Sequence, residues 1–293
     1  MKPPSLGAQA RETADMIKAS HSVFALPFAI AAASLGMAAA GGWSWPNLFW
    51  VVWCAVWART AAMAQNRLAD ARLDAVNPRT EGRALPAGRV TRRFVLGLVL
   101  AAAAFFVLGA WQLNRACLYL SPVVLVVLLG YPYTKRFTVL CHFWLGLALA
   151  LAPVGAWVAV RGGLYELTTP MLLGAGVLLW TAGFDLIYAC QDAAHDRDAG
   201  LFSLPARLGV SGALRLARVL HVGSVALLAA LFWLDPRLSW LYAIGVVVAA
   251  GILVYEHSIV APDDLSRVDV AFFTLNGLVS LALGTAAAID AWV

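Results

Sequence analysis

Across 293 residues, 62% are hydrophobic and only 13% charged, against roughly 25% charged in a soluble domain, so the composition excludes a water-soluble globular protein and points to an all-α integral membrane protein. The formal charge of +5 suits anionic headgroups or a phosphorylated ligand, and no polar stretch is extensive enough to present a nucleic-acid surface. Cys54, Cys117, Cys141 and Cys190 lie in or beside apolar segments without CxxC spacing and read as small buried hydrophobes.

Residues 19–58 contain no Asp, Glu, Lys or Arg, which is about twice the length one span needs, so Gly41-Gly42 through Pro46 is expected to turn the chain between two spans. No cleavable signal is expected, because this first apolar run belongs to a span. Uncharged runs follow at 94–114, 116–134, 137–160, 167–184, 219–234, 238–255 and 270–289, which predicts nine helices in a single domain over 1–293. The run at 219–234 is short unless Arg215 and Arg218 snorkel toward the headgroups. With the N-terminus in the cytoplasm, only Arg115, Arg161 and Arg237 of the 21 basic residues fall in outside loops. The long loops, 66–93 and 191–212, then lie inside, where chemistry is expected.

Asn66, Asp70 and Asp74 recur at four-residue intervals, a spacing that puts them on one helical face about 40° apart at a membrane boundary. Segment 66–93 also holds seven arginines, of which Arg72 and Arg83 are candidates for substrate binding; positive-inside topology accounts for many of the others. After the sixth expected span, Tyr188, Asp192 and Asp196 repeat the four-residue interval, and Asp185 lies deeper in the same apolar segment, where an ionisable group is a functional candidate or a partner for an arginine. Asp198 falls off the series and reads as a solvated charge. Lys135 and Arg136, in the short YPYTKRF loop on the same side, serve either as topological anchors or as diphosphate ligands. Carboxylates do not bind phosphate directly, so the mixture of acids and bases needs a mediator, and Mg²⁺, which joins one or two carboxylates to substrate phosphates, fits. His21, His142, His195, His221 and His257 are dispersed and do not support a zinc site. An ion-coupled transporter or a nonenzymatic lipid-binding protein would also place acids among spans, but transporters favour interrupted helices with binding near the midplane.

The segments MIKASHSVFALPFA, NRLADARLDAVNPRT with GRALPAG, YPYTKRF, YACQDAAHDRDAG, YEHSIVAPDDLSRVD and FFTLNG together resemble the UbiA superfamily of intramembrane aromatic prenyltransferases. The resemblance implies two four-helix groups and a ninth helix around a lipid-facing cavity capped by cytoplasmic loops, in a bacterial inner membrane. Its NxxxDxxxD motif maps to Asn66, Asp70 and Asp74, and its DxxxD motif to Asp192 and Asp196, the aspartates being the implied Mg²⁺ ligands. Arg67 and Asp198 depart from that pattern, standing where an Asp and a basic residue are common. The implied reaction moves a polyprenyl group from polyprenyl diphosphate to an aromatic carboxylic acid, with Lys135 and Arg136 stabilising the leaving group. Asp192, Asp185 and Tyr188 are its expected catalytic residues, Asp192 as metal ligand or proton acceptor. 4-Hydroxybenzoate is the leading acceptor, and a dihydroxynaphthoate is the alternative that the YEH, PDDLSR and FFTLNG stretches suggest.

Overall fold

The protein is described by a computed structural model covering Gly7, Gln9, Glu12, Thr13 and residues 24–293. His21, most of the MIKASHSVFALPFA segment and the side on which the chain begins lie outside the described residues. The helices are α1 (Leu26–Ala39), α2 (Trp45–Asp74), α3 (Arg92–Leu113), α4 (Arg115–Thr134), α5 (Cys141–Arg161), α6 (Thr168–Ala189), α7 (Ala193–Asp198), α8 (Leu204–Leu234), α9 (Trp240–Ile259) and α10 (Asn276–Asp290), with a π turn at Val270–Leu275 leading into α10. Among the described residues there is no strand, only one isolated bridge between Ala261 and Asp264.

Among the described residues, seven helical segments are long and apolar enough to cross a membrane, short of the nine expected, so this is a multi-pass membrane protein. The two that fall short come from the run at 19–58. α1 has 14 residues, about 21 Å at 1.5 Å per residue, less than a roughly 30 Å hydrocarbon core. α2 is 30 residues long, but Trp45, Trp50, Trp53, Trp57, Arg59 and Arg67 dilute its apolar character. The short run at 219–234 is the end of a longer helix that starts at Leu204 and kinks at Gly209, whose φ of +71° is a conformation that side chains disfavour.

Local signals explain the turns. Gly41 takes φ +81°, and Ser44 caps α2 by accepting from the Asn47 N–H at 3.4 Å, with Pro46 in the first turn. Asn114 separates α3 from α4 with extended backbone; its Oδ1 accepts from Cys117 N at 2.9 Å and its amide donates to Val158 and Ala159 carbonyls at 3.0 Å. α4 carries Pro122 and Pro132 inside it, and the Ser121 hydroxyl donates at 2.8 Å to the Leu118 carbonyl that Pro122 cannot serve.

Neighbouring helices close a circuit: α2 packs on α4, α4 on α5, α5 on α6, α6 on α8, α8 on α9, α9 on α10, α10 on α1 and α1 on α2, while α3 braces α2 and α4. α5 and α6 approach so closely that a Cβ at Gly146 would sit 2.5 Å from the Leu178 carbonyl, the small-residue packing expected of membrane helices. Arg115, Arg161 and Arg237 gather at one end. There Asp235 accepts from Thr169 at 2.7 Å and from Arg237, which also donates to the Leu35 carbonyl at 3.0 Å and lies over Trp157. Burial works against the charged form of Asp235, but the bonds from Arg237 and Thr169 outweigh it and hold the carboxyl below its ordinary range.

Candidate active site

The opposite end carries the acidic motifs. α2 continues to Asp74, so Asn66, Asp70 and Asp74 do form one helical series, and Asp70 and Asp74 are only 4% and 6% exposed. Asp70 receives Lys135 Nζ at 2.7 Å and Arg136 Nη2 at 3.3 Å, while Arg136 also donates to the Ala69 carbonyl at 2.7 Å. Asp74 receives Arg83 Nη1 at 2.8 Å on one oxygen; its Oδ2 is buried without a hydrogen-bond partner. The second motif is not a continuous α-helix, which corrects the expected i, i+4, i+8 face. α6 ends at Ala189, Cys190–Asp192 tighten into a 3₁₀ turn, and Asp196 belongs to the separate α7. Tyr188, Asp192 and Asp196 nevertheless all line one cavity, while Asp198 is exposed.

The loop between α2 and α3 joins the two motifs. Asn77 Oδ1 accepts from Arg79 N at 2.9 Å, an Asx turn that aims Arg79 across the site. Arg79 Nε lies 2.9 Å from Asp192 Oδ1, its Nη2 bonds Asp192 Oδ2, and its Nη1 donates to the Tyr188 hydroxyl at 3.1 Å. Asn77 Nδ2 adds a bond to Asp192 Oδ1 at 3.1 Å. Burial would lower the Arg79 pKa, but the bonds and field of Asp192 raise it above the ordinary arginine value, so the fork stays charged. Arg79 and Asn77 were not singled out from the sequence, although Asn77-Pro78 is a turn signal that marks where the loop folds back.

Asp185 is paired with a histidine rather than an arginine: its Oδ2 lies 2.7 Å from His142 Nδ1. His142 Nε2 lies 3.4 Å from Leu204 N, so the ring is fixed with its Nδ1 facing Asp185. The histidines are therefore less dispersed than their numbering suggests, and His221 and His257 meet as well, at 3.0 Å. Arg72 is exposed on α2 and is absent from the cavity wall, and Arg136 stands behind Asp70. The remaining sequence candidates, together with Arg59, Arg67 and Tyr131, line the wall.

The cavity holds ≈ 990 Å³. Its polar mouth contains both acidic motifs, and its body is apolar, passing Val51, Leu120, Leu145 and Leu149 to reach Leu113 and Met171 near the far ends of their helices. Among the described residues, no three His, Cys, Asp or Glu side chains form a metal cage by themselves. Mg²⁺ does not require one, since it is commonly held by one or two carboxylates plus substrate phosphates. The hard oxygen donors at the mouth and the uncommitted, buried Oδ2 of Asp74 fit such an ion.

A cavity that joins a charged mouth to a long apolar body has the shape of a site for an amphiphile in a membrane protein. Residues 25–278 match the UbiA prenyltransferase family, and the chain belongs to it as a prenyltransferase. It is 36% identical over 201 residues to a 4-hydroxybenzoate octaprenyltransferase of Tolumonas auensis, a match covering 68% of each chain. Its similarity to the protein of that name from Salmonella paratyphi B is 30% over 265 residues, 85% of this chain and 89% of the relative. Among solved structures, the apo UbiA homologue from Aeropyrum pernix K1 superposes with a TM-score of 0.84 at 34% identity, covering 92% of this chain and 98% of the other. The Archaeoglobus fulgidus UbiA homologue bound to DMAPP and Mg²⁺ shares the fold, with a TM-score of 0.73 at 18% identity over 96% of this chain and 99% of that one.

Proposed function

We propose that this protein transfers a polyprenyl group from polyprenyl diphosphate to 4-hydroxybenzoate in a Mg²⁺-dependent reaction, at the cytoplasmic face of a bacterial inner membrane. The observation that carries the reading is the junction of both acidic motifs, through Asn77 and Arg79, at the mouth of one apolar cavity. The names of the relatives support the acceptor, and the positive-inside distribution supports the orientation. In this reading α1 and α2 also traverse the bilayer, giving nine spans.

Asp70, Asp74, Asp192 and Asp196 would hold Mg²⁺, which when bound supplies positive charge that favours departure of the diphosphate. Lys135, Arg83 and Arg79 already stand against three of these carboxylates and offer the diphosphate oxygens a point charge and two planar forks. As the bond from prenyl C1 to diphosphate oxygen breaks, positive charge grows on the allylic carbon, and the rings of Tyr188, Phe184 and Phe272 on the cavity wall would shelter it from water. The acceptor ring forms the new carbon–carbon bond and gives up a proton. Asp192 has both oxygens committed to Arg79 and Asn77, so Asp185, with one oxygen on His142 and the other uncommitted, is assigned as the proton acceptor. Arg59 and Arg67 on the wall supply cations suited to the acceptor's carboxylate.

Purified protein given polyprenyl diphosphate, Mg²⁺ and either 4-hydroxybenzoate or a dihydroxynaphthoate tests this. Prenylated hydroxybenzoate is expected, and its formation should stop on chelation. Product from the naphthoate alone would overturn the acceptor, and no product from either would overturn the reaction.

A further inference from the structure

The YEH and FFTLNG segments, 20 residues apart at Glu256 and Asn276, meet inside the bundle away from the acidic mouth. Both side chains are 0% exposed. Asn276 Nδ2 donates to Glu256 Oε1 at 3.1 Å and to the Ala271 carbonyl at 2.9 Å, while its Oδ1 accepts from Trp180 Nε1 at 2.6 Å. Ala271 lies five residues before Asn276, within the π turn Val270–Leu275, so the amide reaches back across that wide turn and ties it to α6 and α9. A π turn inside a helix is a costly irregularity associated with functional sites. The fastening is costly too, because Glu256 Oε2 is buried without a hydrogen-bond partner.

The π turn carries Phe272 and Phe273, which both line the cavity. The Phe272 ring is centred 4.2 Å from Tyr188 and 5.3 Å from Phe184, and Phe273 lies 6.3 Å from Tyr188. Tyr188 is in turn bonded to Arg79, which grips Asp192. A continuous set of contacts thus runs from Asn276 to the acidic mouth by way of aromatic rings.

We infer that Asn276 and Glu256 are positioning residues that lock the π turn so that Phe272 and Phe273 close the aromatic wall against water, committing the prenyl group to the aromatic acceptor instead of to hydrolysis. This rests on the prenyl-transfer reading. Both outcomes begin as the bond between prenyl C1 and the bridging diphosphate oxygen breaks, its electron pair leaving with diphosphate. In transfer, an acceptor ring carbon bonds C1 and the ring releases a proton. In hydrolysis, the co-reactant is water: its oxygen bonds C1, a proton is released, and the products are prenyl alcohol and diphosphate. A loosened wall admits the second course without weakening the grip on the diphosphate.

The test measures prenyl alcohol and prenylated acid together, using the purified full-length protein in lipid with Mg²⁺. The wild type must form prenylated acid; if it forms none, the functional reading fails and not this one. Asn276→Ala and Glu256→Ala are expected to raise the ratio of alcohol to prenylated acid by about tenfold, a change of roughly 1.4 kcal/mol between competing barriers, with little change in the KM for the donor. Glu256→Gln keeps an oxygen for Asn276 and should restore the wild-type ratio. A proportionate loss of both products, or a rise in donor KM alone, would show a merely structural role and overturn the inference. Should the alanine variants not insert, Phe272→Leu reads the same wall directly, and an unchanged ratio there overturns it as well.

Discussion

At the mouth, each carboxylate of the first motif is held by a cation from a different loop, Asp70 by Lys135 and Asp74 by Arg83, so removing its charge releases a base as well as a candidate metal ligand. Asp70→Asn and Asp192→Asn keep the side-chain volume while discarding that charge. Each is expected to cut prenyl transfer by about a hundredfold or more, in line with losing a principal electrostatic contact in a transition state, while the protein inserts and remains folded. Turnover at limiting Mg²⁺ checks this, and near-normal rates would remove the proposed metal site. These acids were legible because their four-residue spacing is local, as the helical repeat demands. Arg79, Asn77 and His142 were not, because their partners Asp192 and Asp185 are 43 to 115 residues away and only the packed helices bring them together.

At the scale of elements, apolar run length located the seven qualifying spans, and the Gly41-Gly42 turn came from local chemistry. Element breaks were less accessible: the 3₁₀ turn at Cys190–Asp192 and the π turn at Val270–Leu275 leave no periodicity that hydropathy reports. The far-end knot illustrates how loops hold the elements. Asp235, fully buried in its side chain, joins α6 to Arg237 and through it to α1, so Arg237→Ala strands a carboxylate and is expected to cost about 3–5 kcal/mol. Thermal unfolding of the purified variant should show a lower midpoint with activity intact at low temperature. Because the folded pKa of Asp235 lies below its ordinary value, its stabilisation is present above the ordinary carboxylate range and is lost as pH falls through the folded value. The Asp235→Asn variant should lack this acid-side component.

For the whole molecule, both acidic motifs and the Lys135–Arg136 loop converge at one end, and Arg115, Arg161 and Arg237 collect at the other, as the alternation of spans requires. In a protein with its native cysteines replaced, single cysteines at 82, 135 and 198 are expected to react only with reagents admitted to the cytoplasm, and those at 43, 163 and 236 with impermeant reagents outside. Outside labelling at 135 would invert the arrangement.

α4 gives the cavity one wall unlike the rest. Only 17% of its span is buried in protein, the smallest share among the seven qualifying segments, and its backbone ladder is interrupted at Pro122 and Pro132. In a bilayer its outward residues, such as Tyr119 and Val126, would meet lipid, and its lost backbone bonds reduce resistance to bending. If the cavity takes a long isoprenoid, as the proposed reaction requires, α4 is expected to yield before the tightly packed α5–α6 pair. On the proposed reaction, lipid composition is then expected to shift the preferred donor tail length, which turnover of donors of different length in thin and thick bilayers would measure.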